Sequence, residues 1–175
     1  MKSTFKLFII LAAFIFAGSK LMAQDDMTPP KPVDNKILEG MVGDWTGESE
    51  MMGMKYTEEA KIYWTLNHQY LIMETKYISK DNSSIVYNGM GIVGVSKDNS
   101  IKMWWFDDWG ADASANGTGT FGNNSFHVLS SNPMYTDDRT FELKDGNIVC
   151  NWSSTMKDKD GKDMSMKGST TYKKK

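Results

Sequence analysis

From Trp45 to Tyr172 the side chains change character at every second residue, and a chain that keeps that rhythm for most of its length has few folds open to it. Trp45, Gly47, Ser49 and Met51 alternate with Thr46, Glu48 and Glu50; Ala60, Ile62, Trp64 and Leu66 alternate with Lys61, Tyr63 and Thr65. Similar runs cover 69–79, 85–96, 101–107, 113–121, 125–130, 139–144, 147–156 and 164–173. Turn chemistry separates most of them. Ser79-Lys80-Asp81-Asn82-Ser83 and Ser96-Lys97-Asp98-Asn99-Ser100 are near-copies of one loop, and Asp145-Gly146 and Asp160-Gly161 favour the positive φ of tight hairpins. No long stretch has the 3.6-residue period of a helix. About ten antiparallel strands in sequence either close on themselves or expose aggregation-prone edges, so the expected fold is all-β, a closed up-and-down barrel.

Ahead of the strands, Ile37, Leu38 and Met41 form a short amphipathic turn that ends at Gly43, directly before Trp45. Such a stretch predicts a small N-terminal helix that caps one end, with a glycine turning the backbone and an indole plugging the base. Gly43 and Trp45 are therefore expected to be structural. Glycines 89, 91 and 94, and again 117, 119 and 122, interrupt two strands where curvature or close approach is needed. Residues 117–122 also spell Gly-x-Gly-x-x-Gly, but they alternate like a strand and no helix follows, so a dinucleotide site is not expected.

The first 23 residues have the anatomy of a secretory leader: Lys2 and Lys6, an apolar run over 7–17, then small residues, with Ala23-Gln24 the expected cut. The apolar run is shorter than the roughly 20 residues of a membrane-spanning helix, so no stable membrane insertion is expected after cleavage. Residues 24–34, with Thr28-Pro29-Pro30-Lys31-Pro32, read as an extended spacer, and 35–175 as one barrel domain. The expected location is the periplasm or the extracellular space. All 22 acidic residues follow the leader, against 17 remaining Lys and Arg, for a net charge of −5. That balance carries no footprint for nucleic acid. Cys150 is the only cysteine, in phase with Ile148 and Trp152, and reads as a buried, inert thiol.

Leu38 through Trp45, Trp64-Thr65-Leu66-Asn67-His68-Gln69-Tyr70-Leu71, Tyr87-Asn88-Gly89-Met90-Gly91-Ile92-Val93-Gly94 and Trp105-Phe106-Asp107 resemble, in order, blocks of the domain-of-unknown-function 1579 family. The resemblance spans residues 35–172. It implies a calycin-like barrel, akin to lipocalins, fatty-acid-binding proteins and nitrobindins, and implies no reaction. The chain departs from that pattern at Gly94-Val95-Ser96, where the family often has Gly-Tyr-Asp. Gly43-Asp44-Trp45 is similar to the lipocalin Gly-x-Trp signature, in which a cation from a late strand covers the indole. Arg139, the only arginine, lies in such a strand. Two roles stay open for it: a structural cation over an aromatic ring, or a fork for a ligand carboxylate.

In Ile101-Lys102-Met103-Trp104-Trp105-Phe106-Asp107-Asp108-Trp109, Lys102 marks the solvent side, so Ile101, Met103, Trp105 and Asp107 are expected to face inward. Asp107 is then either a polar handle in an apolar cavity or a rim carboxylate bonded to backbone and water. Trp104 and Phe106 fall on the outer face, which calls for a cover: a loop, a second copy or a membrane surface. Met51, Met73, Met103, Met156, Met164 and Met166 are expected inside.

Catalytic machinery is poorly provided for. No Gly-x-Ser-x-Gly occurs, and no Ser/His/Asp set is suggested by spacing. His68 and His127, without a cysteine pair, do not make a zinc site. Asp158 to Asp163 reads as a hairpin rather than a calcium loop, and Glu58 and Glu74, which adjacent strands can bring together as a carboxylate pair, read rather as surface carboxylates. The leading expectation is an exported, non-enzymatic, cofactor-free barrel holding a small hydrophobic or amphipathic ligand through Trp64, Tyr87, Met103, Trp105, Asp107 and Arg139. Two alternatives stand beside it. One is a nitrobindin-like haem barrel with His127 as axial ligand, and the other is a solid barrel that works as an interaction module, with a homodimer through its exposed aromatics.

Overall fold

A computed structural model describes residues 29–175, so the expected leader and the first part of the expected spacer lie outside the described residues. The unit spanning Pro32–Lys175 is a closed barrel of ten antiparallel strands in plain meander order, preceded by one short helix. Helix α1 is Lys36–Gly40. The strands are β1 Gly43–Met51, β2 Met54–Thr65, β3 Tyr70–Ser79, β4 Val86–Val95 and β5 Ile101–Asp107. They continue as β6 Ala115–Phe121, β7 Ser125–Ser131, β8 Tyr135–Lys144, β9 Asn147–Lys157 and β10 Asp163–Lys174. The Gly-x-Gly-x-x-Gly segment lies in β6 and the hairpin after it, as expected.

Local chemistry sets the capped end. The Asn35 side chain accepts from the Ile37 and Leu38 amides at 3.0 and 3.1 Å, which satisfies two otherwise unpaired donors at the helix start. The turn drives Leu38 and Met41, both fully buried, into the barrel. Gly43 follows with φ +141°, a backbone setting that a side chain would strain. Trp45 then enters the bore, and its indole N–H donates to the Met41 carbonyl at 2.8 Å. A buried indole needs such a partner, so one bond pins the plug to the cap.

The cation over Trp45 is Lys174 of β10, 5.5 Å from the ring centroid. Arg139 is not there, which corrects the aromatic-cover reading of that residue. A Cβ at Gly43 would lie 2.9 Å from Lys174 Cε, so the glycine gives the lysine stem room to cross the indole.

Above the plug, Ile62, Leu71, Val93, Ile101, Phe126, Val128, Phe141 and Ile148 fill the bore, all in the inward phase of their strands. At the capped end lie the 66–69, 96–100 and 122–124 connections and the Asp145-Gly146 turn; at the other end lie those at 52–53, 80–85, 108–114, 132–134 and 158–162. This second end is the mouth. Ladder pairing between β1 and β10 is confined to Trp45↔Lys174 and Thr46↔Lys173, so side chains hold much of that seam.

Candidate functional site

Polar groups break the apolar lining of the barrel in three places, the first of them at the mouth. Strands β4 and β5 turn Tyr87, Trp105 and Asp107 inward, all three half-buried. Trp105 lies across Gly89, where a Cβ would come within 2.2 Å of the indole Cζ2, so only glycine lets the ring lie there. Three donors converge on Asp107. The Tyr87 hydroxyl and the Trp105 indole N–H reach Oδ2 at 2.8 and 3.0 Å, and the Trp109 amide reaches Oδ1 at 3.0 Å. Asp107 is therefore inward and bonded to backbone at once, joining features of both readings of it. The Tyr87 ring lies 5.4 Å from that of Tyr77 and 6.3 Å from that of Trp109. Burial, then the bond to Asp107, pushes the Tyr87 phenol well above its ordinary range. Burial and the charges of Asp107 and Asp137 push Tyr135 of β8 up to about 12.

A second group lies deeper. Arg139 points into the barrel, with a quarter of its side chain exposed, and its Nε donates to Asp137 at 2.5 Å. Asp137 is buried and also accepts from the Ser154 hydroxyl. Burial pulls the Arg139 pKa down, but its neighbours, the Asp137 carboxylate foremost, outweigh that, and the net shift is upward. The neighbouring Tyr77 is pushed up to about 12 by burial and by Glu58. Burial also pushes the Cys150 thiol up to about 12, which disfavours the nucleophilic thiolate.

The third group is the Glu58 carboxylate, 3 % exposed, which accepts from the Tyr172 hydroxyl and, at 3.2 Å, from the Thr170 hydroxyl. Glu58 is therefore not a surface residue and does not approach Glu74, which lies on the outer wall and accepts from Tyr63 at 2.8 Å.

The other expected residues fall in three places. Met103 is buried in the wall beneath Trp105, near Gly91. Trp64 does not join the mouth: it belongs to the capped end, where its indole donates to Glu39 at 2.7 Å and its ring stacks on His68 at 5.2 Å. The interval from Trp64 to the mouth is most of a twelve-residue strand, so shared inward phase did not mean a shared site. His127 faces outward and meets Asp138 at 2.9 Å. Trp104 and Phe106 are exposed on the outer wall as expected, and Trp109 is exposed at the rim.

Two concavities of about 620 and 550 Å³ lie on the outer wall rather than in the bore. The first runs past Glu59, Lys61, Glu74, Lys76 and Phe106, the second past Thr140, Asn151 and Lys167. Among the described residues no three His, Cys, Asp or Glu side chains group to hold a metal. The Asp158 carboxylate is spent on the amides of Asp160 and Lys162, at 2.8 and 2.9 Å, within the β9–β10 hairpin.

Glu58, Tyr135 and Asp137 were not marked by the alternation, because each places a polar group where the pattern demands an apolar one. No family model matches the chain, and no curated protein matches it.

Proposed function

We propose that this protein is an exported, calycin-like barrel that binds a small amphipathic ligand at its mouth and performs no reaction. The observation that carries this reading is the Tyr87–Asp107–Trp105 cluster, polar groups held part-exposed on the inner wall above a filled bore. Ligand sites pair a few convergent polar groups with apolar surface. The apolar part is supplied by the rim, where Met52, Met54, Ile85, Trp109 and Met134 are exposed on four separate connections or strand ends. The leader-like N-terminus supports export, and the meander barrel with its plugged, helix-capped base supports the calycin-like kinship.

Titration with the neutral apolar fluorophore N-phenyl-1-naphthylamine tests the reading. Saturable one-to-one enhancement, weakened in Trp105→Leu, is the expected result. Non-saturable enhancement, or binding indifferent to Trp105, contradicts it.

The haem alternative loses the residue it rested on, since His127 faces solvent and His68 lies in the capped-end turn. One observation favours the interaction reading for the outer wall: Trp104 is 37 % exposed and packs edge-on against Tyr70, with Phe106 exposed nearby on the same strand. Sedimentation of Trp104→Ser beside the parent protein tests it, a concentration-dependent dimer lost in the variant being the expected result.

A further inference from the structure

The charges on the inner wall do not balance. Apart from Lys174, which covers Trp45 at the capped base, Glu58, Asp107 and Asp137 face inward against the single guanidinium of Arg139. Asp137 is already committed to Arg139, and Glu58 lies buried beneath the hydroxyls of β10. Asp107 is different. It is half-buried at the mouth, and among the described residues no Lys, Arg or His nitrogen lies within ion-pair distance of it. Its three donors are an O–H and two N–H groups of neutral residues, which orient the carboxylate without neutralising it.

What surrounds that carboxylate is aromatic. Tyr87 and Trp105 are fixed to it by hydrogen bonds, and Trp109, whose amide also reaches it, packs edge-on against Tyr87. Aromatic faces beside an unneutralised carboxylate attract an organic cation, through the ring quadrupoles and through the full charge. An anionic ligand has no equal claim. The Nε–Nη2 edge of Arg139 is taken by Asp137, whose buried carboxylate already balances the guanidinium charge, so Arg139 offers an anion no net positive charge.

Building on the amphipathic-ligand reading above, we propose that the mouth binds a cationic head group, an ammonium or alkylammonium, against Asp107 and beside the rings of Tyr87, Trp105 and Trp109. The ligand's apolar part then meets the methionine-rich rim.

The test uses three probes with one decyl chain, each below its micelle-forming concentration: decyltrimethylammonium, decyl maltoside and decyl sulfate. Binding is followed by tryptophan fluorescence and calorimetry. The expected result is that the cation binds at least about tenfold tighter than the other two, and that Asp107→Asn erases the difference while Asp107→Glu keeps it. Equal affinity for all three, or preference for the sulfate, overturns the proposal and leaves the amphipathic-ligand reading standing. Saturable binding of none overturns both. A cation preference that survives in folded Asp107→Asn overturns the assignment to Asp107. Should that variant fail to fold, the Trp105 indole N–H resonance of the unmodified protein decides. It reports directly on the carboxylate, must move with decyltrimethylammonium, and overturns the proposal by standing still.

Discussion

The hydroxyl of Tyr172 on β10 donates to the Glu58 carboxylate on β2, although strand β1 runs between them. Gly47 is the residue of β1 in register with Glu58, and a Cβ there would meet Thr170 Cγ2 at 2.8 Å and Tyr172 Cδ1 at 3.2 Å. The absent side chain leaves a corridor over β1, through which the two outer strands are joined. Since ladder pairing between β1 and β10 covers only two register pairs at the capped end, this clasp holds the seam beyond them.

Tyr172→Phe removes the hydroxyl and leaves Glu58 with the Thr170 donor. Partly unpairing a buried carboxylate costs about 1–3 kcal/mol. Urea unfolding should show that loss, and a double-mutant cycle with Glu58→Gln should show coupling of at least about 0.5 kcal/mol. Additive effects would mean that the two side chains do not act as one clasp.

Gly43→Ala should destabilise the barrel by about 1–3 kcal/mol, because it strains a φ of +141° and pushes Lys174 off the Trp45 ring. Lys174→Ala should cost about 0.5–1 kcal/mol and change Trp45 emission, while Arg139→Ala leaves that emission unchanged. Fluorescence of a protein in which Trp45 is the sole tryptophan separates the two cations.

The fold was legible from the chain because closure needs only alternation and turns. Asp145-Gly146 adopts φ of 50° and 76° as such a turn requires, and Ile101, Met103, Trp105 and Asp107 all face inward as their phase against Lys102 demands. The site was less legible, for a reason in the same signal. β2 begins at Met54 and β8 at Tyr135, whereas the apolar pattern first becomes clear at Ala60 and Arg139. The hidden stretches hold Glu58, Tyr135 and Asp137, whose inward polar groups break the rhythm that marks a strand. Arg139 was legible as a late-strand cation, but its partner was not. Lys174 was masked by the lysines beside it, and Asp137 by its resemblance to turn composition.

Alkaline pH should unfold the barrel early. Tyr77, Tyr135 and Cys150 are raised to about 12, and Tyr87 and Tyr172 are raised as well. Each holds its proton more tightly folded than unfolded. The stability this contributes is complete below the unfolded values, about 9 for the thiol and 10 for phenols, and is lost as pH rises through about 12. Urea midpoints should therefore fall steeply between about pH 9 and about pH 12, and Cys150 should resist a disulfide reagent until the protein unfolds. A flat profile across that range would contradict the buried network.

Gly89→Ala places a methyl within 2.2 Å of the Trp105 ring and must move the indole off the wall. N-phenyl-1-naphthylamine affinity should fall by about tenfold or more, the equivalent of roughly 1.4 kcal/mol, while the Trp45 plug stays in place. Undiminished affinity would place the probe elsewhere on the barrel.

The central claim is that the ligand is held at the mouth, above a filled bore. Proton–nitrogen correlation spectra of the six tryptophan indoles during titration with N-phenyl-1-naphthylamine test it most directly, because Trp105 donates to Asp107 at the mouth and Trp45 donates to Met41 at the cap. The account predicts that the Trp105 indole resonance shifts saturably while that of Trp45 stays fixed. A response confined to Trp104 on the outer wall, or equal movement of Trp45 and Trp105, would contradict it.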